Sequence, residues 1–146
     1  MPLFARLHAK HLTQKYVGKS KRFQLTRNDG SVRFSGTLLA VYRLGEDDED
    51  YHFPGLTRLD LLALFRTKSG RFLAYYAVDH EGNEHIDGRR EYLKVCESFE
   101  QLEDFVGRMR YVNAPRFLRV LDQARSLLFP APSKPEAALS PPAAEA

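Results

Sequence analysis

Apolar and polar residues alternate along the middle of this chain, a pattern that is typical of half-buried β-strands. The segments at 21–27 and 31–43 both show it, and the turn residues Asn28, Asp29 and Gly30 lie between them. Because Asn, Asp and Gly tolerate positive φ angles, this arrangement predicts a β-hairpin. One face of the second segment is expected to carry Phe34, Gly36, Leu38, Ala40 and Tyr42.

A second group of strands is predicted further along the chain. The leucine-rich segment at 56–66 leads through a short Lys-Ser-Gly reversal into 71–79, which is rich in β-forming residues. The pattern at 57–66 also fits an amphipathic helix, but the short reversal favours a strand, and apolar residues on both sides indicate burial on both faces. The segment at 91–96 is predicted to be one more strand.

Two helices are predicted to close the domain. Ser98, followed three residues later by Gln101, forms a capping-box pattern. The Asn113-Ala114-Pro115 sequence predicts the start of the second helix, because proline is favoured in a first helical turn. The apolar side of this second helix is expected to contain Phe117, Leu118, Leu121, Ala124 and Leu128. Residues 3–16 are compatible with a further short helix.

These elements together predict an α+β fold. We expect a four- to five-stranded antiparallel meander sheet followed by two C-terminal helices packed on one face. Residues 1–20 are interpreted as a basic N-terminal arm or short helix, and 21–128 as a single α+β domain. Residues 129–146 contain five of the chain's eight prolines, so this Pro/Ala-rich tail is predicted to be disordered.

Charge is distributed unevenly along the chain. The net charge is +3, but residues 1–28 carry seven basic groups and no acid. Residues 29–107 carry nine basic and sixteen acidic groups, whereas 108–128 carry five arginines and one aspartate. A basic arm on an acidic body is one way in which proteins contact polyanions.

The basic ends suggest a nucleic-acid-binding surface, because Lys and Arg side chains neutralise phosphates and release counterions. The candidate residues are Arg6, Lys10, Lys15, Lys19, Lys21, Arg22, Arg27, Arg116, Arg119 and Arg125. Exposed aromatic side chains could add base stacking. The aromatic candidates, which are equally compatible with core positions, are Phe72, Tyr75, Tyr76 and Tyr92.

An acidic run suggests a different kind of contact. Its carboxylates could bind a hard cation, but the spaced ligands of a calcium loop are missing, so a solvated loop or a surface for a basic protein partner is favoured. The candidate partner-binding residues are Glu46, Asp47, Asp48, Glu49 and Asp50.

The stretch DHEGNEH places His80 and His85 in one short segment together with several carboxylates. Two imidazoles and a carboxylate would suit zinc or iron, but no third histidine is close in sequence, so a polar hairpin turn is the favoured interpretation. Cys96 precedes a predicted helix N-terminus, where a thiol can become reactive, although a buried structural cysteine is favoured. We predict no cofactor.

Compartment follows from composition. No apolar run approaches the about 20 residues that a membrane span needs, and the N-terminus lacks the apolar stretch of a secretory signal. The single cysteine excludes an internal disulfide. We therefore expect a cytoplasmic protein with no membrane partner.

Several short motifs carry a resemblance. They are Phe65-Arg66-Thr67, Gly70-Arg71-Phe72, Cys96-Glu97-Ser98 and the acidic helix from Glu100 to Phe105, with FSGTLLA upstream at 34–40. Across 34–107 the chain resembles small uncharacterised accessory proteins of bacterial conjugative plasmids and integrative elements. The resemblance implies a bacterial cytoplasm and a mobile-element setting, and it carries over no catalytic or binding residues.

Three functions follow as hypotheses. The first is a non-catalytic binding protein, a mobile-element accessory factor that engages a protein partner by charge complementarity. The second is a nucleic-acid-binding protein that uses the basic arm and the arginine-rich C-terminal helix. The third is a metal-dependent or thiol enzyme built on His80, His85 and Cys96. The oligomeric state stays open.

Overall fold

The computed structural model describes residues 6–27, 30–44, 58–79, 88–109 and 114–130. Within these ranges the chain forms six strands and two α-helices. The strands are β1 (Leu7–His8), β2 (Ser20–Arg27), β3 (Gly30–Arg43), β4 (Arg58–Thr67), β5 (Phe72–Asp79) and β6 (Arg89–Cys96). The helices are α1 (Phe99–Gly107) and α2 (Ala114–Leu128), and short 3-10 turns occupy Ala9–His11 and Gln14–Tyr16.

All described strands join one sheet in the order β1-β2-β3-β4-β5-β6. Strands β2 to β6 form the predicted antiparallel meander, whereas β1 pairs in parallel with β2. The predicted α+β class is confirmed, but the sheet is mixed and its strand count is higher than predicted. The additional strand lies in the N-terminal segment, where 3–16 was compatible with a short helix and where the described residues form β1 and two short 3-10 turns. Leu7 pairs with Phe23 instead of forming a helical turn.

Strand β4 confirms the preferred interpretation of the ambiguous leucine-rich segment. Its residues from Leu61 to Phe65 are all buried. Leu62 and Leu64 pack on one face of the sheet, and Leu61, Ala63 and Phe65 on the other. A central strand that is covered on both faces is apolar at every position, which is why its periodicity is ambiguous in the sequence.

A β-bulge in β3 overturns part of the predicted alternation. Its pairing with β4 shifts between Leu38 and Ala40. As a result Ala40 and Tyr42 lie in one core layer, while Leu38 and Val41 lie in the other. The predicted common face for Phe34, Gly36, Leu38, Ala40 and Tyr42 is therefore wrong beyond Leu38, because a bulge reverses the side-chain faces that follow it.

The sheet separates two apolar core layers. Both helices pack on one face, where Leu102, Val106 and Ala124 join buried residues of the central strands. The N-terminal segment covers the opposite face through Leu12, which is fully buried, and the half-buried Tyr16. This arrangement makes the central strands the interior of the molecule.

Helix α1 begins where the capping pattern predicts. Ser98 is its N-cap, and the Ser98 hydroxyl accepts a hydrogen bond of 3.1 Å from the main-chain N–H of Gln101. In α2 the predicted apolar side is only partly correct. Leu121 and Ala124 are buried, but Leu118 is 65% exposed and the buried position is Val120 instead. Neither described helix has both the length and the apolar character that crossing a lipid bilayer requires.

Side chains of the N-terminal segment and α2 hold the second half of β3. The Gln14 amide donates to the main-chain oxygen of Val41 at 2.8 Å, and the Val41 N–H donates to Gln123 Oε1 at 3.2 Å. Arg43 donates from Nη2 to the carbonyl oxygens of Ala9 at 2.7 Å and Leu12 at 3.0 Å. These bonds fix the N-terminal segment against the sheet.

Candidate anion-binding cleft

A cleft of about 570 Å³ lies across the start of β2, the middle of β3 and the end of β4. Its lining contains four cationic side chains, Lys21, Arg22, Arg66 and Lys68. Four hydroxyl side chains, Ser20, Ser35, Thr37 and Thr67, complete its lining with two glycines, and none of the lining residues that the structure describes is a carboxylate. We call this surface the basic cleft. Cations and hydroxyls are the groups that bind phosphate oxygens in proteins.

Strand register assembles the cleft from residues that are distant in sequence. Lys21 lies opposite Gly36, and Arg22 lies opposite Ser35. On the other side of β3, Gly36 lies opposite Thr67, and its neighbour Thr37 lies opposite Arg66. The cationic residues of β2 and β4 therefore lie on either side of β3. The four cationic side chains give the cleft a positive charge.

A close approach of β3 and β4 shapes the floor of the cleft. A Cβ atom at Gly36 would lie only 2.4 Å from the carbonyl oxygen of Arg66, so no larger residue fits without movement of the main chain. Beside this point the Ser20 and Thr37 hydroxyls are 2.9 Å apart and hydrogen-bonded. This part of the cleft is therefore lined by a glycine and by hydroxyl groups.

The turn between β4 and β5 holds the cleft's last cation in place. The main-chain N–H of Lys68 donates to the Ser35 carbonyl oxygen at 2.9 Å. The Thr67 hydroxyl accepts a hydrogen bond of 3.0 Å from the N–H of Arg71. Gly70 supplies the positive φ of 97° that closes this turn. Lys68 is thus attached to a well-bonded turn at the rim of the cleft.

The surroundings reinforce the positive charge. The described residues of 6–27 and 30–44 contain no Asp or Glu, so β2 and β3 carry only cations. The described acidic residues lie on β4 and the elements after it, and most of them form ion pairs with arginines that do not line the basic cleft. Examples are Glu97 with Arg71 at 3.5 Å and Asp104 with Arg108 at 3.1 Å. The molecule therefore has a basic β2–β3 side and a mixed β6–helix side.

The structure brings only some of the predicted nucleic-acid residues to the cleft. Lys21 and Arg22 line it. Lys10, Lys15 and Lys19 are exposed but lie outside its lining, Arg6 is half-buried, and Arg27 is at the far end of β2. The side chain of Arg116 lies outside the described residues. Arg119 is exposed on α2 and also lies outside the lining.

Arg125 is engaged in an internal network. Its guanidinium is hydrogen-bonded to Glu103 of α1 and, at 2.7 Å, to Asp122 of its own helix. The bond to Glu103 is the main cause that raises the pKa of Arg125 above its ordinary value. This residue links α1 to α2, and its charge is already balanced by two carboxylates.

Sequence reasoning missed half of the cleft. Arg66 and Lys68 lie in a segment whose net charge is negative, so charge counting along the chain gives no sign of them. Arg66 is exposed, and it has no ion-pair partner in the part of the chain that the structure describes. Arg66 could have been identified by its place in the sequence, since it directly follows a run of buried residues and precedes a tight turn.

The other candidate residues fall largely outside the described ranges. The candidate residues outside those ranges are His80, His85 and the acidic run Glu46, Asp47, Asp48, Glu49 and Asp50. Within the described ranges, no three histidine, cysteine, aspartate or glutamate side chains lie together in a way that could hold a metal ion. The metal hypothesis and the partner-binding role of the acidic run both stay predictions.

Cys96 is a free thiol at the end of β6, and it is only 2% exposed. Burial is the largest effect on the pKa of Cys96 and raises it above the ordinary value of 9.0. The nearby charges of Lys94, which lowers the pKa, and Glu97, which raises it, have smaller effects. The thiol packs in the core layer beneath the helices. The predicted burial of Cys96 is confirmed, and its purely structural role stays a prediction.

No protein-family model, curated protein or solved structure matches this chain. The resemblance of residues 34–107 to plasmid and integrative-element accessory proteins therefore stays a prediction.

Proposed function

We propose that this protein is a non-catalytic binding protein that holds a nucleic-acid strand by its phosphates in the basic cleft. The observation that carries the proposal is the composition of the cleft: four cations and four hydroxyls from β2, β3, β4 and the β4–β5 turn, with no carboxylate among its described lining residues. Hydroxyls and arginines donate to phosphate oxygens, and the clustered charge attracts a polyanion by counterion release.

The shape of the cleft supports an extended ligand. Its cations come from β2, β4 and the β4–β5 turn, so the charge is spread across the sheet and not focused on one point. A single phosphate would need one or two convergent donors, whereas a strand presents phosphates at regular intervals. Lys19, which directly precedes β2, is exposed beside the cleft and adds one more cation to this surface.

Charge-matched double variants test this proposal. Arg66→Ala with Lys68→Ala removes two cations from the cleft, and Arg108→Ala with Arg125→Ala removes two from the helices. Binding of a labelled oligonucleotide is measured by fluorescence anisotropy at low salt. We expect the cleft variant to bind about tenfold more weakly and the helix variant to bind like wild type. Equal loss in both variants would mean that only net charge matters and would contradict the proposal.

The predicted protein partner and mobile-element setting stay proposals beside this one. An acidic protein segment could also bind the cations of the cleft, and competition with polyglutamate distinguishes the two ligands. If polyglutamate displaces the oligonucleotide when carboxylates and phosphates are equal in concentration, an acidic protein partner is favoured. Failure to displace would favour phosphate recognition, since hydroxyl donors and arginine forks match phosphate geometry.

A further inference from the structure

A second groove, of about 370 Å³, adjoins the basic cleft. The two share three lining residues, Ser35, Thr67 and Lys68, so they are continuous around the β4–β5 turn. The new groove runs between the start of β3 and the edge strand β6. Its walls are apolar: Val32 and Phe34 on β3, Leu73 on β5, and Leu93 and Val95 on β6. We call it the apolar groove.

Two of its apolar residues are incompletely buried. Val95 is 46% exposed although it lies in a strand. Phe34 is half-buried, and its ring is held in place by Phe23, stacked at 5.3 Å between centroids, and by Phe65, edge-on at 5.1 Å. A fixed aromatic ring in an open groove is a surface on which a planar ligand can stack.

The rim of the apolar groove is cationic. Lys68 and Arg71 both line it. Arg71 pairs with Glu97 at 3.5 Å, but both side chains are more than half exposed, and such pairs contribute little. Arg71 can therefore exchange this carboxylate for a phosphate. A ligand in this groove has an apolar, planar part and a negative charge at its border.

We infer that the apolar groove takes the bases of a single-stranded nucleic acid whose phosphates lie in the basic cleft. This inference rests on the proposed function and narrows its ligand class. A single strand presents unstacked bases beside its phosphates, which matches an apolar groove joined to a cationic one. A duplex hides its bases in the helix interior and has nothing to place in the apolar groove.

The test compares three labelled probes by fluorescence anisotropy: a single strand of thymidines, an abasic strand with the same number of phosphates, and a duplex of the same length. We expect the thymidine strand to bind most tightly. Phe34→Leu keeps an apolar side chain but removes the stacking face. It should weaken thymidine-strand binding by about 5- to 150-fold and leave abasic-strand binding unchanged. Leu118→Ala, which changes an exposed apolar residue on α2, should alter neither.

The outcomes separate this inference from the proposed function. Equal binding of thymidine and abasic strands, or tighter binding of the duplex, would overturn the inference and leave phosphate binding in the basic cleft intact. Absence of binding to every probe would overturn both. Circular dichroism of each variant verifies folding. If Phe34→Leu is unfolded, Val95→Ser replaces it, because Val95 is an exposed edge residue of the same groove. A smaller loss, again restricted to the thymidine strand, is then expected.

Discussion

Replacing Gly36 by alanine is expected to destabilise the protein, although alanine is ordinarily better than glycine inside a strand. A Cβ atom at this position would lie 2.4 Å from the Arg66 carbonyl oxygen and 3.0 Å from the Thr67 Cα. Both are main-chain atoms of β4, so no side-chain rotation relieves the contact, and the two strands must separate locally.

The magnitude follows from two opposing effects. Overpacking costs about 1–3 kcal/mol, and the upper half of this range applies because the clash is with main-chain atoms. Removing the conformational freedom of glycine from the unfolded chain returns about 0.5–1 kcal/mol. The expected net loss in the free energy of unfolding is about 1–2.5 kcal/mol.

Urea unfolding followed by circular dichroism measures this loss by linear extrapolation. Gly107→Ala is the matched control, because a Cβ atom there meets nothing within 4 Å in α1. The control should gain up to about 1 kcal/mol from helix propensity. If Gly36→Ala is as stable as wild type while Gly107→Ala shows its gain, the close approach of β3 and β4 at the cleft floor is refuted.

Three further predictions concern the packing around the sheet. Arg43→Met should release the N-terminal segment by removing the bonds to Ala9 and Leu12. We expect the free energy of unfolding in urea to fall by about 1.5–3 kcal/mol and amide hydrogens near residue 12 to exchange faster. Unchanged exchange would contradict the anchoring role of Arg43. Burial, the largest effect, raises the pKa of Tyr75 above 10.0, so its stabilising contribution is present below pH 10 and is lost as pH rises through the folded-state value. Tyr75→Phe should therefore flatten the alkaline fall in unfolding free energy, and an unchanged slope would show that other groups cause it. The Cys96 thiol, 2% exposed, should react with a thiol reagent only after denaturant unfolds the chain, and rapid labelling of the native protein would contradict its burial.

Local sequence patterns predicted most elements of this fold. The alternating segments, the turn at 68–70 and the cap at Ser98 each depend on residues that are close in sequence, and each appears where it was predicted. The bulge in β3 was not predictable in this way, because it depends on how two distant strands pair. The parallel pairing of Leu7 with Phe23 is also a tertiary contact that two residues cannot specify alone.

The candidate site was less predictable for the same reason. Lys21 and Arg22 were identified by counting charge along the N-terminal arm. Arg66 and Lys68 reach them only through the register of β2, β3 and β4, which crosses more than forty residues of chain. Arg125 was included because of its charge alone, and its bonds to Glu103 and Asp122 became visible only once α1 and α2 were packed together.

The salt dependence of oligonucleotide binding tests the central claim most directly. Each phosphate contact to a single strand contributes about −0.7 to the slope of log affinity against log salt concentration. Removing Arg66 and Lys68 should therefore make the slope shallower by about 1.4, whereas removing Arg108 and Arg125 should leave it unchanged. Identical slopes for wild type and the cleft variant would contradict the account, because they would place the phosphates elsewhere on the protein.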